Sequence, residues 1–250
     1  MKIIPLSEGA FTVDASKVFM PFNTDSDTMS TRPNGSLLVE IQPFVIQTAA
    51  ETILLDTGLG LQNKAGMLQL HSNLEAAGIA PATVTKVLLS HLHKDHSGGI
   101  AIPEPLSGQR FLSFPYANWY LQRREFDYAM NTQSPSFRQE DFALLESFSK
   151  TVWLEEDAGT IGPGIHYQLT GGHSRFHQVF RIEEEGEIAF FGGDVAPQLQ
   201  QLRSRFIAKY DFDGRKAMEL RQEWYRQGMA EKWTFLFYHD IKNPVWKAGD

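Results

Sequence analysis

The 250-residue chain contains no cysteine. Disulfides are therefore excluded, the redox compartment is left unread, and no thiolate can ligate a metal. Any metal site must be built from nitrogen and oxygen donors. Basic charge is scarce as well: 23 Lys and Arg against 30 Asp and Glu leave a formal net charge of −7. That balance disfavours general binding to nucleic acid or to anionic membrane, both of which need basic surface. No apolar run is long enough to span a bilayer. The opening Met1-Lys2-Ile3-Ile4-Pro5-Leu6-Ser7-Glu8 lacks the apolar segment of a secretion signal, so a cytoplasmic protein is the expectation. No low-complexity tract, heptad array or internal repeat is present. The 42% hydrophobic content suffices to bury one sizeable core over residues 1–250.

What is present is a dense run of ligand-type side chains, Ser90-His91-Leu92-His93-Lys94-Asp95-His96-Ser97-Gly98-Gly99. Three of the eight histidines and a carboxylate fall between residues 91 and 96, directly after the apolar Val87-Leu88-Leu89. In an extended segment His91 and His93 point to the same side. A turn at Lys94 then brings Asp95 and His96 round to a neighbouring position. One short stretch can thus serve two metal ions, and imidazole with carboxylate suits Zn, Fe or Mn.

Around this run, Ser36–Ile41, Phe44–Thr48 and Glu51–Asp56 read as successive strands, with Asp56-Thr57-Gly58 as the closing turn. Leu68–Ala77 reads as a helix stopped by Gly78, and Lys86–Ser90 as a short buried strand. A helix is expected from about Ser136 to Ser149. Ile165–Leu169, Gln178–Ile182 and a strand running from Glu187 towards Asp194 follow. Gly214–Ala230 is helical in pattern, and Trp233–Tyr238 is expected as the final strand. Alternating strands and helices without a linker favour a single layered α/β domain. Its key polar residues, Asp56, His91, Asp194 and His239, stand at the ends of apolar strands, where loops converge on ligands.

With His173 in Thr170-Gly171-Gly172-His173-Ser174, these motifs closely resemble the metallo-β-lactamase superfamily from about residue 36 to 240. The resemblance implies an α/β (α+β) fold, a four-layer αββα sandwich with the site at one edge of two sheets. It implies that one metal is held by His91, His93 and His173 and a second by Asp95, His96 and His239. Asp194 bridges both, and Asp56 orients ligands without binding metal. Asp95 and Asp194 are the carboxylates on which catalysis is expected to depend. Two divalent ions, zinc foremost and iron or manganese as alternatives, would generate a hydroxide at neutral pH that opens a lactone or ester. His166 and His177 compete with His173 for its place, and the Gly-Gly pair favours His173. His71 reads as a surface histidine.

Within the superfamily, the missing cysteine argues against the zinc β-lactamases, and His93 stands where flavodiiron proteins carry glutamate. Single-domain lactonases and ester or organophosphate hydrolases remain, with acyl-homoserine lactonases the best-understood relatives. Two features depart from those lactonases. Pro197 occupies the place of their tyrosine after the bridging aspartate, and His173 is followed by Ser174-Arg175 in place of Pro-Gly. A phosphodiesterase or organophosphate hydrolase on the same site is the nearest alternative, and a mononuclear iron oxygenase of the persulfide dioxygenase type is a further one. A small-molecule substrate, no nucleic-acid or membrane partner and a homodimer are expected. Residues 112–150 read as an aromatic-rich insertion. Phe22, Tyr116, Trp119 and Tyr120, with Phe19, Met20 and Phe114, either wall an apolar pocket over the metals or pack as core or dimer contacts. Arg175 either attracts a substrate anion or sits on an exposed turn.

Overall fold

The computed structural model describes residues 1–104 and 106–250. Strands Thr52–Leu55 and Lys86–Leu88 lie side by side and parallel at the centre of its first sheet. Their side chains are fully buried beyond the first residue of each strand, as continuous apolar runs require when both faces of a sheet are covered. Alternation along the strand sorts them. Ile53, Leu55 and Leu88 face the second sheet. Leu54 and Val87 face helices Gln69–Ala76 and Arg123–Asn131, through Leu70, Leu74, Phe126 and Ala129.

The second sheet repeats the device. Phe180, Ile182, Ala189 and Phe191 point inward, with the Phe44 and Phe191 rings edge-to-face across the interface at 6.0 Å. Val179 and Phe190 point outward onto Ala217 and Trp224 of helix Gly214–Glu231. Each fully buried side chain of this size contributes about 1.5–3 kcal/mol. The result is the four-layer αββα sandwich, with two six-stranded sheets between helices. No helix among the described residues is long and apolar enough to cross a membrane.

Four local expectations change. Leu37–Ile41 does not continue into the main sheet; it pairs with Gly9–Val13, which also carries Phe19–Phe22, in a separate three-stranded sheet. Residues 112–150 are not a mere insertion, because Asn118–Gln122 lies between Lys86–Leu88 and Thr151–Leu154 in the first sheet. The helix expected over 136–149 breaks into Gln139–Phe142 and a 3₁₀ turn, Ala143–Glu146. Phe137, Phe142 and Leu145 are all buried, and a five-residue spacing cannot keep the first two on one helical face. Finally, Val245–Lys247 follows the supposed last strand and pairs antiparallel with Thr234–Leu236.

The N-terminal segment braces the turn after Thr52–Leu55 through Glu8. Its carboxylate is buried, and Oε2 accepts the Leu59 N–H at 2.7 Å while Oε1 has no partner. Burial pushes the Glu8 carboxyl up to about 7, against the Leu59 hydrogen bond. Below the ordinary glutamate range, folded and unfolded chains both hold this proton and the fold keeps its full stability. Between about 4.5 and 7 only the unfolded chain releases it, so stability falls as pH rises. Glu8→Gln removes that slope, and relative to wild type it should gain up to about 3 kcal/mol between those pH values. Denaturant unfolding of both proteins at pH 4.5 and 7.5 measures it; a constant difference would refute the assignment.

Candidate metal centre

The two central strand pairs set the site. Thr52–Leu55 and Lys86–Leu88 run parallel, so the turn at Asp56 and the segment beginning at His91 emerge at one edge. Glu187–Phe191 and Thr234–Leu236 are likewise parallel, which delivers Asp194 and His239 to the corresponding edge of the second sheet. Gln178 clamps the edges together: its N–H donates to Ser90 O at 2.9 Å and its Nε2 to Leu89 O at 2.8 Å. Gly193 is in the left-handed region at φ 47°, and a Cβ there would sit 2.5 Å from His177 Nε2. Only glycine allows this approach.

The chain is extended through His93 and turns into the short helix Lys94–Ser97. His91 Nε2 and His173 Nε2 therefore lie 3.0 and 3.1 Å from His93 Nδ1. Asp194 Oδ2 closes this group, 3.2 Å from His173 Nε2 and 4.0 Å from His91 Nε2. Asp194 Oδ1 faces the other way, 3.1 Å from His96 Nε2 and 3.0 Å from His239 Nε2. Asp95 Oδ2 completes the second group at 3.8 and 3.6 Å from the same two nitrogens. A tetrahedral ion with bonds of about 2.0–2.1 Å has ligand-to-ligand edges of about 3.3 Å. His96 Nε2 and Asp194 Oδ1 are buried without a hydrogen-bond partner, although they are close to each other. Both donor groups fit a divalent cation.

The outward-facing nitrogens are held in place. Ser90 Oγ donates to Asp56 Oδ2 at 2.6 Å, so it accepts from His91 Nδ1 at 3.0 Å. His96 Nδ1 meets Asp56 Oδ2 at 2.7 Å, His173 Nδ1 meets Asp211 Oδ1 at 2.9 Å, and His239 Nδ1 meets Glu40 O at 2.7 Å. Each contact engages the outward Nδ1 and turns Nε2 inward, the nitrogen whose lone pair a metal would take. Asp56 has both oxygens engaged, since Oδ1 takes the Ser90 N–H at 2.7 Å, and stands behind the ligands. His177 is spent differently: its Nε2 accepts the Asp194 N–H at 3.1 Å. It positions the carboxylate that faces both groups, and it is His173, not His177, that stands with His91, His93 and Asp194.

Burial holds His91 and His93 well below the usual histidine range, so their lone pairs are free at neutral pH. Burial acts on His96 in the same direction, but Asp194 and Asp95 outweigh it and raise it well above that range. Burial would raise Asp194, yet His239, His96 and His173 hold it well below the carboxylate range. The carboxylates of this edge call for positive charge beside them, which a divalent cation would supply.

A cavity of about 270 Å³ opens onto the site, with His93, Asp95, His173, Asp194 and His239 on its floor. Of the aromatics considered, Phe19 lines it; the others stand elsewhere. Trp119 is 0% exposed in the first-sheet core, where Phe114 is also buried. Tyr120 packs between the sheets. Tyr116 is 67% exposed and its carbonyl accepts from Lys150. Phe22 belongs to a neighbouring groove. Arg175 stacks over Phe212 at 4.6 Å and Tyr128 at 5.6 Å. His71 is half-buried, with Nε2 at 3.0 Å from Ser113 O. Sequence reasoning missed Tyr210 in the cavity wall, Asp211 behind His173, and Glu125. The buried Glu125 carboxylate accepts from Leu92 N and Ser174 Oγ and thus ties two ligand loops together. No motif marks these three.

The family profile described as the metallo-beta-lactamase superfamily matches residues 41–239. An N-acyl homoserine lactonase from Bacillus sp. is 24% identical over 237 residues, covering 87% of this chain and 88% of the relative. An atrochrysone carboxyl ACP thioesterase from Passalora fulva is 29% identical over 153 residues. That match covers 61% of this chain and only 37% of the fungal protein's length. Among solved structures, AidC, a dizinc quorum-quenching lactonase in complex with a product, superposes with a TM-score of 0.70. It is 19% identical, with 97% of this chain and 88% of the other covered.

Proposed function

Because the chain belongs to the metallo-beta-lactamase superfamily, we propose that it is a metal-dependent hydrolase that opens a lactone or ester of a small molecule with two divalent ions. One observation carries the reading: Asp194 presents one oxygen to the His91, His93 and His173 group and the other to the Asp95, His96 and His239 group. Two cations side by side repel, and a shared anion between them offsets that repulsion. The ligand sets are His91, His93, His173 and Asp194 for one ion, and Asp95, His96, His239 and Asp194 for the other, with zinc best suited to these donors. When bound, such a pair supplies a Lewis acid and a hydroxide at neutral pH.

The protein's own residues do the rest. The neutral His91 and His93 offer lone pairs without first losing a proton. Asp56, Asp211 and the Glu40 carbonyl fix which nitrogen of each ring points inward. The apolar wall of Val13, Phe19 and Val39 excludes water from one side of the cavity and accepts an acyl chain. Relatives named as a lactonase and as a thioesterase support a lactone or ester as the substrate class.

Protein purified without added metal should carry about two divalent ions per chain and hydrolyse lactones or esters faster than a phosphodiester. Chelation should remove both metal and activity, and zinc should restore them. One iron per chain with oxygen consumption, or hydrolysis undiminished by chelation, would overturn the reading.

A further inference from the structure

The cavity mouth carries charge that neither the metal groups nor the fold uses. Lys17, Arg32 and Lys94 line the same cavity whose floor is the metal centre, and all three are half-buried. The Lys and Arg ion pairs among the described residues lie elsewhere, at Lys86, Arg110, Arg123, Arg124, Arg138, Arg181 and Arg215. Three unpaired cations therefore converge on one opening in a chain of net charge −7.

Lys17 is also held there at a cost. Its backbone is left-handed at φ 59°, a conformation that L-residues with a Cβ disfavour. The turn that imposes it is pinned: Lys17 N donates to Asp14 O at 3.0 Å, and Ser16 N donates to Asp14 Oδ1 at 2.9 Å. Glycine would relieve the strain, and the sequence places an ammonium there instead. The apolar wall of Val13, Phe19 and Val39 lies in the same cavity. A ligand filling it is met by cations, by hydrocarbon and by the metal groups.

We propose that Lys17, Arg32 and Lys94 bind an anionic group of the substrate, so that this hydrolase selects an ester or lactone bearing a carboxylate or phosphate-type group over a neutral one. The inference rests on the hydrolase reading above and adds the charge of the substrate to it. Partly desolvated cations gain more from an anion than exposed ones do, and a focused positive mouth draws anionic ligands in.

Phenol release distinguishes the outcomes with the metal-loaded protein and three substrates. These are monophenyl glutarate with a free carboxylate, its methyl-capped diester, and phenyl 4-phosphonobutanoate. The anionic substrates should exceed the capped one in kcat/KM by about tenfold or more at low salt, with the advantage shrinking as salt rises. Whichever of the carboxylate and phosphonate gives the larger ratio identifies the anion. Lys17→Gln with Arg32→Gln should cut the ratio about tenfold, mostly through KM. Lys17→Glu, which leaves the same net charge of about one among these three residues, should cut the ratio by a similar factor and flatten its salt dependence, and it tests the idea should the double variant not fold. Equal rates on charged and capped esters, or a ratio unmoved in both variants, would overturn this inference and leave the hydrolase standing. No turnover of any of the three, or of simple lactones, would instead bring down the hydrolase reading.

Discussion

Asp194→Ala should abolish lactone and ester hydrolysis, by about a thousandfold or more, while the chain stays folded. The loss corresponds to about 4 kcal/mol or more in the barrier. Asp194 is the residue whose two oxygens lie 3.0–3.2 Å from nitrogens of both ligand groups, at His173 on one side and at His96 and His239 on the other. On the proposed two-ion reading, alanine would remove an anion from between the two donor groups, so that both ions would lose a ligand and their mutual repulsion would go unscreened. The fold survives because Asp194 lies in a turn after Glu187–Phe191, outside the cluster that fills the space between the sheets. The Asp194 N–H bond to His177 is a backbone contact that alanine keeps. Circular dichroism and thermal unfolding confirm folding, metal analysis should give fewer than two ions per chain, and turnover should fall to background. Asp194→Asn keeps the shape, loses the charge and should behave in the same way. Full activity in either variant would remove Asp194 from the site.

The degree to which this protein was legible in its sequence follows from how local each signal is. His91 to His96 form a contiguous run, and the alternation of an extended chain followed by a turn is enough to divide it into two groups. Asp56, Asp194 and His239 end buried apolar strands, so pattern alone brought them to one edge. A layered α/β domain was legible for the same reason, since Ile53, Leu54, Leu55, Val87 and Leu88 form apolar runs of the kind a doubly covered strand needs; the four-layer sandwich came from the resemblance to the superfamily. The cavity wall was not. Lys17, Arg32 and Phe19 reach it from a small sheet and its loops, whose position depends on Gly9–Val13 pairing with Leu37–Ile41, a contact with no local signature. Trp119 and Tyr120 stayed ambiguous because an aromatic run reads alike whether it walls a pocket or, as here, fills a sheet core. Glu125 and Asp211 are single carboxylates that gain meaning only beside the ligand loops they hold.

The least obvious of the large effects concerns a residue that touches no metal. Asp56→Asn should strip the second ion and weaken the first, although the substitution changes one atom and keeps the side chain's shape. Asp56 accepts three donors: Ser90 N and Ser90 Oγ at 2.7 and 2.6 Å, and His96 Nδ1 at 2.7 Å. Its left-handed backbone at φ 56° is one that asparagine also tolerates, so the turn persists. An amide has one acceptor where the carboxylate has two. If the amide oxygen takes the Ser90 N–H, its NH₂ faces His96 Nδ1 and Ser90 Oγ, both of which must become acceptors. His96 then carries its proton on Nε2, the atom that points at Asp194 and Asp95, and cannot ligate. Ser90 Oγ, no longer donating to Asp56, turns its proton to His91 Nδ1 and drives the same tautomer change in the first group. The flipped amide sets NH₂ against Ser90 N–H and costs about 1–3 kcal/mol for a buried donor left unpaired. Metal titration should show the site for the second ion gone and affinity for the first lowered about 10–100-fold. Nitrogen NMR of the histidine rings after metal loading should show His96 protonated on Nδ1 alone in wild type and on Nε2 in the variant. Two ions bound with wild-type affinity, or an unchanged His96 tautomer, would mean that the carboxylate behind the ligands does not set which nitrogen faces the metal.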